Sequence, residues 1–397
     1  MYSIDSSRFI KSMEELGKIG WQENTGLQRS AYSDFYYAAR DWLDAKMREL
    51  GLETHVDRVG NLFGVLRGAT DNIILSGSHL DSVTNGGIYD GSLGIIAALE
   101  SVASLREAGY KPQNTFVVAA FIAEEGEPLG GTFGSRAFAG LIDPVSIDEV
   151  KLSHYGIDKE GIAASRGDLE KMKAYIELHI EQGPVLERSN IPIGVPTGIV
   201  GITRYDVSIY GVANHAGTTP MSERKDAVRI ASDIIHEWYK WMDAHSGLVC
   251  NIGTMTVLPG HVSIVPDKVS FCLELRSLDE SLIREAASAF HAIVTSHLEC
   301  CAADLKLMGS KPPVLLDNDI VETVGAACGE SDIKYIKMPS GASHDASPIA
   351  HVMPCGMIFV QSRNGVSHSK DEYTSNAAMI CGANILMRSL LALDKVY

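Results

Sequence analysis

The chain reads as an α/β protein built on a mostly parallel sheet and interrupted by a smaller α+β unit. Three observations point there. Apolar runs at 73–75, 115–123 and 174–179 lack the alternation of half-exposed strands and are separated by helical stretches, the pattern of strands buried on both faces. Each run then breaks into polar chemistry: His79 with Asp81, Glu124 with Glu125, and His179 with Glu181. Between 203 and 311 the texture changes to β-α-β-β-α-β, the signature of an independent two-layer unit. Ligands in parallel sheets bind beyond the carboxyl ends of the strands, so the three strand ends mark a candidate site.

The elements follow in order. Residues 6–19 place Ile10, Met13 and Leu16 at helical spacing; residues 33–50 do so with Tyr36, Ala39, Leu43, Met47 and Leu50, and Gly51 supplies the stop. Short β runs around Gly60-Asn61, within 54–66, give a hairpin-like signal. After the first apolar strand, Gly91-Ser92-Leu93-Gly94 opens a helix that runs to about Ala108 and is ended by Gly109 and Pro112. In the inserted unit, 203–211 alternates with Tyr205, Val207 and Ile209 on one face. Helices at 225–241 (Val228, Ala231, Ile235, Trp238) and 281–298 (Ile283, Ala287, Phe290, Val294) flank strands at 249–258 and 268–275, and 302–308 closes the set. Beyond Lys311-Pro312-Pro313 the α/β texture returns through 320–328 and 357–360 to a last helix at 375–393. The expected domains are 1–202 with 312–397, discontinuous, and 203–311 inserted.

Composition narrows the function classes. The 397 residues are 45% apolar and 21% charged, with a net charge of −16 from 34 basic and 50 acidic side chains. No basic block interrupts that balance, so a nucleic-acid partner is not expected. The N-terminal stretch has no uninterrupted apolar core of the secretory kind, and no run approaches 18 apolar residues, so neither a signal sequence nor a membrane span is expected. Seven cysteines, Cys300 and Cys301 adjacent and none in a C-x-x-C pair, read as free thiols of a cytoplasmic protein.

The 72–94 stretch suits a metal site. His79 ends its strand, Asp81 lies two residues on, and Asp90 stands at the helix start. An imidazole can bind a cation while a neighbouring carboxylate fixes its tautomer. Glu124 and Glu125 would point to opposite faces of a continuing strand. Where the strand ends they can divide labour, one binding metal and one carrying a proton.

Five motifs, GSHLDS, YDGS, AEEGE, ELHIEQG and GVSHS, occur with NHAGTTP, ELRS and SGASHDA. Together they resemble the metal-dependent aminoacylase/carboxypeptidase superfamily, in the hydantoinase/carbamoylase branch of N-carbamoyl-L-amino-acid hydrolases and allantoate amidohydrolases. The resemblance implies a dinuclear centre of two divalent ions, Zn²⁺ first, with Mn²⁺ or Co²⁺ as alternatives. It assigns His79 and His179 to one ion, Glu125 and His368 to the other, and Asp90 as the bridge. Asp81 would orient His79, and Glu124 would be the general base. His215 would polarise the scissile carbonyl, and Arg276 would grip a substrate carboxylate, unless it simply pairs with Glu274 or Asp279. Gln182, Ser263, Gly341 and Ser343 match the remaining substrate-contact positions. The inserted unit would be a lid and would mediate a homodimer.

The implied reaction is hydrolysis of the linear C–N amide bond of an N-carbamoyl-L-amino acid to amino acid, CO2 and ammonia. His179, where peptidases of the superfamily carry a carboxylate, favours that side. Alternatives are an allantoate or ureidoglycolate amidohydrolase and an N-acyl-amino-acid hydrolase. A non-catalytic binding protein on the same scaffold is disfavoured by the full ligand set. Three departures bear on substrate choice: Ser263 where relatives carry Asn, Ser343 where Gly is usual, and the run EEGEPLGGTFG. His55, His154, His236, His245, His261, His291, His297 and His351 read as structural or solvated, and His344 stays open.

Overall fold

The structure is a computed structural model describing residues 2–126, 128–298 and 301–397. Cys300, and Glu127 of the EEGEPLGGTFG run, lie outside the described residues. The chain divides into two compact units, Met1–Gly198 with Leu315–Tyr397, and Ile199–Val314.

The larger unit holds, among the described residues, a nine-stranded mixed sheet. Its centre runs Cys355–Val360, Met172–Ile180, Ile73–His79, Thr115–Phe121, each parallel to the next. Thr115–Phe121 and Cys355–Val360 are buried throughout, which is why their sequences do not alternate. Outside that core the pairing turns antiparallel. Leu62–Leu66 and Glu53–Val56 extend one side, and Ile193–Ile199 the other. The expectation of a mostly parallel sheet is thus corrected to a mixed one. The hairpin explains one edge: Asp57 Oδ1 accepts the N–H groups of Val59, Gly60 and Asn61, a turn too short for the crossover that parallel strands require.

Helix Ser92–Glu107 follows the His79 strand and is buried nearly all round, as a helix apolar on every side must be. The last helix, Asn376–Val396, is among the described residues the one long and apolar enough to cross a membrane by length and composition. Here it packs against Ser92–Glu107 and the sheet, as a core helix does.

The inserted unit is a four-stranded antiparallel sheet in the order Val249–Leu258, Lys268–Ser277, Gly201–Tyr210, Ala302–Lys311. Helices Ala227–Asp243 and Glu280–Ser296 are capped by the carboxylates of Asp226 and Asp279. Their buried faces, including Trp238 and Phe290, meet Val207, Ile209, Phe271, Leu273 and Leu275 of the sheet.

Candidate metal centre

Ligand candidates converge at the carboxyl ends of the central strands. His79 is the last residue of its strand, and its Nδ1 lies 2.9 Å from the Asp81 carbonyl oxygen. His179 Nδ1 lies 2.9 Å from the Ile180 carbonyl oxygen. A carbonyl can only accept, so each Nδ1 carries a proton and each Nε2 is left to take a cation or a second proton. Both Nε2 atoms face Asp90 Oδ1, at 3.3 Å from His79 and 3.1 Å from His179. Asp90 Oδ2 faces the other way, 3.4 Å from His368 Nε2, which in turn is 3.4 Å from Glu125 Oε2. Two groups of three donors, His79–Asp90–His179 and Asp90–Glu125–His368, therefore share one carboxylate. The loop reaches this position because residue 91 is glycine: at φ +65, a Cβ there would sit 2.5 Å from the His79 ring.

This donor set fits cations. An imidazole nitrogen this close to a carboxylate oxygen needs a proton or a cation between them, and Glu125 Oε1 is buried without a hydrogen-bond partner. The electrostatics agree. Burial, reinforced by Asp90, pushes the Glu125 carboxyl up to about 7. Asp90 is held well below the usual range because hydrogen bonds from His179, His368 and His79 outweigh its burial. The bond to Asp90 raises His368 to about 9 against its burial. The cluster thus gathers protons where divalent ions would supply the charge.

Glu124 is buried just past the strand end, after Ala123 at φ +57. Burial, with Asp345, Glu125 and Asp81 adding to it against His79, raises its carboxyl well above the ordinary range. Asp81 reaches His79 through its main-chain carbonyl; its carboxylate instead accepts the N–H groups of Glu124 and Glu125. Gln182, at φ +56, donates from Nε2 to Asp90 Oδ2 at 2.8 Å.

Other expected residues have their own surroundings. Gly341 and Ser343 are exposed in the turn after Tyr335–Ser340. His344 is buried, its ring 4.4 Å from that of His179 and its Nε2 2.9 Å from Ser340 Oγ. In the inserted unit, His215 is exposed, and its Nδ1 accepts from Gly217 N and Thr218 N. The short strands Asn214–His215 and Ile264–Val265 pair, and Ser263 O accepts from Ala216 N, so His215 and Ser263 belong to one corner. Arg276 Nε pairs with Glu274 Oε1 at 2.7 Å, whereas Asp279 caps a helix.

Three buried groups escaped the sequence reading. Arg29 spends its guanidinium on Leu16 O, Leu80 O and Ser92 Oγ, tying down both ends of the His79–Ser92 segment. Glu177 accepts from Ser78 Oγ, Tyr175 OH and Ala346 N beneath His179. Glu372 accepts from the backbone of Asp90. Arg29 and Glu372 stand outside the quoted motifs, and Glu177, which opens ELHIEQG, has contacts that the motif does not state.

Comparison with known proteins agrees with this geometry. Residues 75–392 match the family described as Peptidase family M20/M25/M40. An N-carbamoyl-L-amino acid amidohydrolase of Geobacillus stearothermophilus is 34% identical, covering 98% of each chain. An allantoate amidohydrolase of Escherichia coli (strain K12) is 32% identical, again over 98% of each. The crystal structure of a hydantoinase/carbamoylase family amidase from Burkholderia ambifaria superposes with a TM-score of 0.91 at 29% identity, covering 99% of this chain and 98% of that one. The chain belongs to Peptidase family M20/M25/M40, alongside its hydantoinase/carbamoylase amidases.

Proposed function

We propose that this protein is a divalent-metal amidohydrolase that cleaves the linear C–N amide bond of N-carbamoyl-L-amino acids to amino acid, CO2 and ammonia. The observation that carries the reading is Asp90 shared between two donor groups, one of them completed by the imidazole of His179. His79, His179 and Asp90 would hold one ion, and Asp90, Glu125 and His368 a second. Nitrogen and carboxylate donors suit Zn²⁺, with Mn²⁺ or Co²⁺ as alternatives. When bound, the ions would polarise the ureido carbonyl and lower the pKa of a water to near neutrality.

The chain's own residues do the rest. Glu124 takes the proton from the attacking water and returns it to the leaving nitrogen. Its backbone is held for this by the Asp81 carboxylate. His215, exposed in its turn, would donate to the developing oxyanion. Arg276 would hold the substrate carboxylate, which must compete with Glu274 for the guanidinium. Gln182, Ser263, Gly341 and Ser343 would complete the substrate contacts, with the inserted unit as lid.

A second reading, allantoate hydrolysis, draws support from the full-length allantoate amidohydrolase relative. Ammonia release from N-carbamoyl-L-amino acids, allantoate, ureidoglycolate and N-acetyl amino acids, measured side by side with elemental metal analysis, decides between them. Turnover of N-carbamoyl amino acids by metal-loaded protein supports the first reading, and preference for allantoate supports the second. Metal-free protein that turns over nothing would favour a binding role. We also propose a homodimer through the inserted unit, whose edge strands and helices can continue across a two-fold axis; a monodisperse monomer in light scattering would contradict it.

A further inference from the structure

Glu372 is a buried carboxylate outside the expected ligand set. Its Oε1 accepts the main-chain N–H groups of Tyr89 and Asp90, each at 3.1 Å. Its Oε2 receives the Ser367 hydroxyl at 2.9 Å. Ser367 Oγ also lies 3.1 Å from Asp90 Oδ2, and Ser367 immediately precedes His368. One side chain thus touches both segments that deliver Asp90 and His368, which are remote in sequence.

The chain is shaped around that contact. A Cβ built on Gly87 would fall 2.2 Å from Glu372 Oε1, so the loop approaches only because residue 87 is glycine. His368 stands at φ +53, a left-handed backbone that histidine keeps only where its surroundings hold it. Glu372 N donates to Ser369 O, which closes the 367–372 segment on itself.

We propose that Glu372 is a positioning residue: it fastens the Asp90 loop to the Ser367–His368 turn and so presets the separation between Asp90 Oδ2 and His368 Nε2 for a cation. The inference rests on the metal-dependent reading of the site. It assigns Glu372 a role of shape, not of charge. A glutamine in its place could accept both N–H groups at Oε1 and donate from Nε2 to Ser367 Oγ, freeing that hydroxyl's proton for Asp90.

Cobalt is a suitable probe, because its visible absorption reports ligand geometry independently of turnover. Wild type, E372Q, E372A and S367A would each be titrated with Co²⁺, with circular dichroism as the check on folding. E372A should lose about 10–100-fold in affinity and change its visible spectrum, as loss of a group that orients a ligand does. E372Q should keep the wild-type affinity and spectrum, and S367A should fall between them. Wild-type protein that binds no Co²⁺ would overturn the metal reading itself, and the proposal with it. If wild type binds and E372A matches it, or if E372Q is as weak as E372A, the positioning role alone is overturned. Should E372A fail to fold, S367A carries the test: weakened binding supports the strut, and unchanged binding overturns it.

Discussion

The carboxylate of Asp81 accepts the main-chain N–H of Glu124 at 3.2 Å, and its other oxygen accepts that of Glu125 at the same distance. One buried acid therefore sets the turn at which a strand ends in a proposed base and a proposed ligand. Its own carbonyl meanwhile fixes the tautomer of His79. Asp81→Asn should keep that carbonyl but offer only one acceptor oxygen. An N–H left facing an amide NH2 should lower the unfolding free energy by about 1–3 kcal/mol. Metal content should stay and kcat should fall. Denaturant unfolding with metal analysis checks this, and unchanged stability and kcat would remove Asp81 from the role.

Glu124→Gln should retain the metals and lose turnover, since it removes a proton carrier and not a ligand. Loss of a general base costs about 10²–10⁴-fold in rate. Activity within a few-fold of wild type would exclude Glu124 as the base.

Metal uptake should depend on pH. In metal-free protein Glu125 titrates at about 7 and His368 at about 9. Both must be deprotonated to bind a cation, so affinity should rise with pH across that window and fall below it. Loading at pH 7 should release protons, measurable by calorimetry in buffers of different ionisation enthalpy. Affinity that stays flat between those values would argue against these ligands.

Arg276 and Ser263 separate chemistry from substrate choice. Two charge-assisted hydrogen bonds to a carboxylate are each worth about 1.5–3 kcal/mol, and lysine cannot reproduce the fork. Arg276→Lys should therefore lower kcat/KM for ureido acids. Ser263→Asn should leave metal content unchanged and shift the ranking of ureido substrates by about 1–3 kcal/mol at most. A silent Arg276→Lys would mean that the carboxylate is held elsewhere. A Ser263→Asn variant that scales every substrate equally would not mark a specificity position.

What could be read in the sequence follows from where the physics is local. The parallel strands announced themselves because Thr115–Phe121 is buried on both faces and cannot alternate. The inserted unit was legible for the opposite reason: Val207 and Ile209 face its core while intervening residues do not. The antiparallel hairpin at 53–66 was legible because its partners are neighbours in sequence. The antiparallel pairings of Leu62–Leu66 with Thr115–Phe121 and of Ile193–Ile199 with Cys355–Val360 were not, because those partners are remote. The expectation that the Asp81 carboxylate orients His79 is corrected: the main-chain carbonyl does it, and the carboxylate is spent on the Glu124 and Glu125 N–H groups. Glu274 lies two residues from Arg276 on one face of the same strand, so their spacing alone offers the ion pair that is present. Glu372 was invisible because two of its partners are backbone N–H groups, which every residue but proline has, and the third is a serine hydroxyl.

Asp90, with His79, His179, Glu125 and His368, would assemble the metal centre on which amide hydrolysis by this chain depends. The most direct test is ammonia release from an N-carbamoyl-L-amino acid by chelator-stripped protein, titrated back with Zn²⁺, Mn²⁺ or Co²⁺ while bound metal is counted. Turnover should be absent without metal and should recover to a plateau at two ions per chain. Full activity in verified metal-free protein, or fully loaded protein that releases no ammonia from any ureido substrate, would contradict it.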